Sequence, residues 1–181
     1  MAIKKNILVD GMEVPFKASA AVPRLYRLKF GRDIYKDFAA LQKSVKDGNK
    51  ENSTIDIESL EVFENIAYIM ARHADPDNVP SSPDEWLEQF NTFSIYEILP
   101  KLIELWGLNI ETQVESKKKH RPTDRPMTTP LFLLRCKQLG LSMTELDLLT
   151  IGLINDMFTE RENDDYSGWN ELASQKDMDF F

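Results

Sequence analysis

Ile3-Lys4-Lys5-Asn6-Ile7-Leu8-Val9-Asp10-Gly11-Met12-Glu13-Val14-Pro15-Phe16-Lys17 is an apolar run, a turn dipeptide and a second run in which Val14 and Phe16 alternate with Glu13 and Lys17. Glycine at the second turn position accepts positive φ, so the stretch predicts a short β-hairpin. Two strands alone are marginally stable and must lie on another element. The residues that follow supply helices. Pro23 suits the first turn of a helix carrying Leu25, Tyr26 and Phe30. After a bend at Gly31, Ile34, Tyr35, Phe38, Leu41 and Val45 recur at three- and four-residue spacing. The expected class is mainly α with a small N-terminal β-hairpin, an α+β fold.

Further along, Gly48 to Thr54 reads as a polar loop, and Asp56 as the cap of a helix with Ile57, Leu60, Phe63, Ile66, Ala67 and Met70 on one face. Breakers at Asp75-Pro76-Asp77-Asn78 and Pro80-Ser81-Ser82-Pro83 precede a helix with Trp86, Leu87 and Phe90. Ser94 and Glu97 have capping-box spacing and open a segment from Ile95 to Trp106. Within it the missing N–H and the ring of Pro100 predict a kink. Thr129-Pro130 opens another helix, stopped by Gly140. A second capping box, Ser142 with Glu145, is read as the start of a long apolar helix from Leu146 to Phe158.

Between these helix-rich parts, Ile110 to Pro126 holds Lys117, Lys118, Lys119, Arg121 and Arg125 and little apolar content. Net charge is −4 over residues 1–110, +2 over 111–126 and −6 over 127–181. That pattern predicts two small helical modules, 1–110 and 127–181, joined by a flexible basic linker at 111–126. The last stretch ends in an acidic, aromatic tail with Tyr166, Trp169, Met178, Phe180 and Phe181.

Composition narrows the chemistry. The overall charge of −8 on 181 residues opposes binding to nucleic acid or anionic membranes. Cys136 is the only cysteine, so an internal disulfide and a thiolate metal cluster are ruled out, and a reducing compartment is expected. The N-terminus has no apolar leader core, and no stretch is long enough to cross a bilayer. His73 and His120 are the only imidazoles; His73 reads as the end of a helix whose dipole favours a cation, and Cys136 as a small core residue. Glycines are scattered rather than set in a phosphate-cradling loop. No catalytic residue, metal or cofactor is expected, and the chain is read as a non-enzyme. Arg24, Arg27, Lys29, Arg32 and Lys36, interleaved with Tyr26, Phe30 and Tyr35, form a basic, aromatic stretch. It supports an alternative reading as a regulatory nucleic-acid-binding protein, with Gly140 to Asn155 as a helix-turn-helix-like half. Trp86, Phe90, Phe93, Tyr96 and Trp106 are either core or a peptide-binding groove.

Gly11 to Phe16, Pro23-Arg24-Leu25-Tyr26-Arg27, Phe30-Gly31-Arg32-Asp33, Asp84-Glu85-Trp86-Leu87, Phe93 to Pro100 and Leu105-Trp106 occur in an order that resembles the tail assembly chaperones of long-tailed bacteriophages and prophages of Gram-positive bacteria. Met127 to Phe132, Gly140 to Met143, Leu146 to Thr150 and Asn163 to Tyr166 look like the downstream extension of such chaperones. The resemblance implies that residues 1–110 bind and solubilise the tape-measure protein and that the extension recruits tail-tube subunits. It also implies a host-cytoplasmic protein absent from the mature virion. In that family programmed ribosomal frameshifting often joins the two parts, and Lys117-Lys118-Lys119 would suit slippage at A-rich codons. Self-association is left open. The expected partner contacts are Tyr26, Phe30, Trp86, Phe90 and Trp106 in the first part, and Tyr166, Trp169, Phe180 and Phe181 in the tail.

Overall fold

A computed structural model describes residues 1–48, 57–117 and 125–168, with side chains from 44 to 48 left aside. Asp56, the run from Lys118 to Arg121, and Trp169, Met178, Phe180 and Phe181 lie outside the described residues. Strands β1 (Ile3–Val9) and β2 (Met12–Ala18) pair antiparallel, with Ile7 opposite Val14 and Val9 opposite Met12. Asp10 and Gly11 both have positive φ, 48° and 79°, as a two-residue turn matched to strand twist requires. Pro15 costs no ladder hydrogen bond that a third strand would need, because both strands are edges. Alternation then places Ile7, Val9, Val14, Phe16 and Ala18 on one buried face.

That face lies on α3 (Ile57–Ala74) and α5 (Ile95–Ile110). Helix α3 is the centre of the molecule. Val62, Phe63, Ile66, Ala67, Tyr68, Ile69, Met70 and Ala71 are buried around most of its circumference, while Ile57 and Leu60, expected on the core stripe, are exposed at its open end. Helices α1 (Val22–Phe30) and α2 (Ile34–Gly48) flank it, broken apart at Gly31 in the left-handed region with φ 69°. Asp33 starts α2 by accepting the Tyr35 amide at 3.2 Å. A short α4 (Pro83–Leu87) carries Trp86 into the core.

Helix α5 continues through Pro100. Pro100 and Tyr96, the residue whose carbonyl loses its partner, both face solvent, where water can satisfy that oxygen. Ser94 sits at the N-cap but its side chain accepts no capping bond. The Ser142–Glu145 box is made in both directions, at 2.7 and 3.3 Å, yet it opens only a single 3-10 turn, Glu145–Asp147. Helix α7 (Ile151–Asn163) begins later, capped by Thr150 Oγ1 accepting from the Leu153 amide. The delay has a tertiary cause: the carbonyls of Leu148 and Leu149 are taken by the amides of Ala2 and Ala20. Helix α6 (Thr129–Gln138) precedes them and ends at Gly140, φ 79°, whose neighbour Leu141 donates back to Cys136.

The expected pair of separate modules is not what forms. Phe132, Cys136, Leu141, Leu146, Ile151 and Ile154 belong to the same hydrophobic core as the hairpin and α3. Tyr35, Trp106 and Phe132 bring α2, α5 and α6 together, with ring centroids 6.0 and 6.2 Å apart. Polar groups finish the joint. Buried Asn109 donates to Ser19 O and accepts from the Ile151 amide, both at 3.3 Å, and Asp33 Oδ2 accepts from the Thr129 amide at 2.8 Å. The first residues of the supposed linker are held too. Asp156 accepts from the amides of Gln113 and Val114 at 3.0 and 3.1 Å, and Asn163 exchanges bonds with Lys117 N and Glu115 O.

Candidate functional site

Helices α1 and α3 leave an open groove of about 440 Å³, lined by Leu25, Leu28, Lys29, Tyr68, Ile69, Arg72, His73 and Pro76. Its position follows from sequence spacing. Leu25 and Leu28 lie one turn apart on α1, and Tyr68, Ile69, Arg72 and His73 lie one turn apart on α3. The residues of α1 that are buried are Val22, Pro23 and Tyr26, so Leu28 is left 73% exposed beside the groove. Its far edge is the loop after α3, tied down by side chains: Tyr68 Oη donates to Pro80 O at 2.9 Å, Lys29 Nζ to Ser81 O at 2.7 Å, and Arg72 to the carbonyls of Val79 and Pro80.

His73 closes the inner end, with Nε2 2.8 Å from Ser19 Oγ. Burial, reinforced by Lys17 and Arg24, pulls its pKa down to about 4, against a smaller opposing effect of Asp147. The ring is therefore neutral at pH 7. The helix-end cation expected from the dipole is overruled, because desolvation outweighs a partial charge at a helix terminus.

The aromatic residues expected at a partner surface divide. Tyr26, Trp86 and Trp106 are core residues, 0%, 1% and 5% exposed, and offer no face to a partner in this conformation. Trp86 is ringed by Phe16, Tyr68, Phe90 and Phe93, and Trp106 stacks on Phe38 with centroids 5.1 Å apart. Large aromatic area is most stabilising where it is completely enclosed, which is why these rings are drawn inward. Phe30 and Phe90 are half-buried against them. Tyr166 is exposed, and Trp169, Phe180 and Phe181 lie outside the described residues. Tyr96 is exposed on α5.

Two of the five cations of the basic stretch, Arg27 and Arg32, are paired with carboxylates. Arg32 binds Asp37 through two bonds of 2.7 and 3.0 Å and reaches Glu58 at 3.3 Å, while Tyr26 Oη donates to the same Asp37. Arg27 lies 3.8 Å from Asp33. Cys136 is fully buried and its thiol is pushed up to about 11 by that burial, so it is held as the inert thiol. Among the described residues no cluster of three or more His, Cys, Asp or Glu side chains could hold a metal ion, and no helix is long and apolar enough to cross a membrane.

Sequence reasoning missed Leu28, Tyr68, Ile69 and Arg72. The available signal was Leu28, which stands off the buried stripe of α1 and so had to face either solvent or a partner. Compared with protein families, with curated proteins and with solved structures, the chain matches none.

Proposed function

We propose that this chain is a tail assembly chaperone of a long-tailed phage or prophage of Gram-positive bacteria. In this role it performs no enzymatic step. It binds and solubilises the tape-measure protein with the hairpin-and-helix part and recruits tail-tube subunits through the C-terminal half, acting in the host cytoplasm and leaving before the virion is complete. The observation that carries the proposal is the ordered set of strings from Gly11 to Trp106 that resembles that family. An open apolar groove on α1 and α3 supports it, because a tape measure presents long apolar helical faces that need cover.

The shared core modifies how the two tasks divide. With Phe132, Ile151 and Ile154 packed against the first part, the C-terminal half works as a fixed neighbour of the groove rather than as a tethered second body. Co-expression of the full chain with a tape-measure protein is the test. A soluble complex that copurifies is expected; a tape-measure protein that stays insoluble, with no complex, overturns the proposal.

A further inference from the structure

The cations of α1 and its surroundings are treated in two ways. On one side Arg27 and Arg32 are matched by Asp33, Asp37 and Glu58. Around the groove the partners are neutral. Lys29 donates to a backbone carbonyl and stands 5.8 Å from the Tyr68 ring centroid, and Arg72 donates to two backbone carbonyls. A carbonyl fixes the position of a cation without cancelling its charge. Lys17 and Arg24 add positive potential at the His73 end, with Asp147 acting in the opposite sense. Among the described residues none of Lys17, Arg24, Lys29 and Arg72 forms an ion pair, and no carboxylate lines the groove.

A chain of net charge −8 thus gathers four cations outside any ion pair around an open apolar groove whose rim residue Leu28 is 73% exposed, with Asp147 and Glu85 the carboxylates felt at His73 and Tyr68. We propose that this groove takes a short amphipathic helix of another polypeptide, one whose apolar face is flanked by Asp and Glu. The inference rests on the protein-binding role proposed above and names the chemistry of the bound segment. Leu25, Leu28, Ile69 and the Tyr68 ring receive the apolar stripe, while Lys29 and Arg72 face its carboxylates. Desolvated apolar contact supplies affinity, and the charges select orientation and partner.

The probe is a fluorescein-labelled 18-residue helical peptide with Leu on one stripe and Glu on both flanks, beside a matched peptide with Lys in place of Glu. Fluorescence anisotropy with the full chain at low salt should show the Glu peptide binding about tenfold or more tightly, with the gap narrowing as salt screens the charges. Leu28→Glu should weaken the Glu peptide about tenfold at an unchanged melting temperature, since the side chain it alters is mostly in water, and Lys29→Gln should weaken it by a few-fold. Equal binding of the two peptides, or no effect of Leu28→Glu in the folded protein, overturns the inference. So does self-association that Leu28→Glu abolishes in a chain that ignores both peptides, which would give the groove to a second copy. The two proposals fail separately. Solubilisation of a tape-measure protein that survives Leu28→Glu removes the groove assignment alone, whereas binding of the Glu peptide without such solubilisation removes the chaperone role alone.

Discussion

Replacing Gly152 by alanine tests the closest approach in the joint between the two halves. A Cβ at this second residue of α7 would collide with the Glu111 carbonyl oxygen and lie 2.6 Å from its carbonyl carbon and 3.2 Å from its nitrogen. Ordinary contact begins near 3.4 Å, and all three atoms are backbone, so no side chain can swing aside. Helix α7 must therefore retreat from the end of α5 by roughly 1 Å or more, the kind of overpacking that costs about 1–3 kcal/mol. The retreat also stretches the bond from the Ile151 amide to Asn109 and those from Gln113 and Val114 to Asp156, at about 0.5–1.5 kcal/mol each. Alanine recovers only about 0.5–1 kcal/mol of helix propensity. A net loss of about 4 kcal/mol follows, or a fall of about 8–16 °C in Tm for a chain of this size. Urea unfolding followed by the buried Trp86 and Trp106 measures it. Gly107→Ala is the control, since that glycine is inside α5 with open space where a Cβ would go; it should gain about 0.5–1 kcal/mol. If Gly152→Ala is as stable as Gly107→Ala, the close crossing of α5 and α7 is wrong.

His73 gives a pH signature: its folded-state pKa of about 4 lies below the ordinary 6.5, so the unfolded chain binds the extra proton first and stability falls as pH drops from above 6.5 towards 4. The loss should reach about 2–3 kcal/mol, and His73→Gln should flatten that part of the curve; identical slopes for the two proteins in urea titrations at pH 7 and 4.5 would count against it. Asn109→Leu removes the donor to Ser19 and the acceptor for Ile151, leaving two buried backbone groups unpaired, and should cost about 2–4 kcal/mol by the same urea assay. An unchanged midpoint would show that the joint does not depend on this amide.

What could be read from the residues alone was whatever local rules govern. Asp10-Gly11 announced the hairpin because positive φ at both positions is a backbone requirement, and Gly31 separated α1 from α2 for the same reason. The union of the halves was not legible. It depends on Asp156, Asn163, Asn109 and Asp33 meeting backbone groups 42 to 96 positions away, and such polar contacts leave no apolar periodicity to detect. Charge counting therefore made a linker of residues 111–126, of which α7 holds Gln113, Val114, Glu115 and Lys117. The start of α7 was placed too early because the Ser142–Glu145 box is locally sound, and only the claim of the hairpin on Leu148 and Leu149 shows why the helix waits. At the candidate site, aromatic size marked Trp86 and Trp106 as important without saying whether they face a partner or each other. Leu28 and Arg72 acquire meaning only when α1 and α3 lie side by side.

The bonds from Ala2 to Leu148 and from Ala20 to Leu149 bear on synthesis as well as on shape. A chain emerging from the ribosome N-terminus first can close its hairpin at once, but the partners of those amides arrive only after most of the polypeptide has been made. Long sequence separation of this kind slows folding. Until the closing segment emerges, the nascent protein exposes apolar surface, a vulnerable interval whose length is set by the pace of translation.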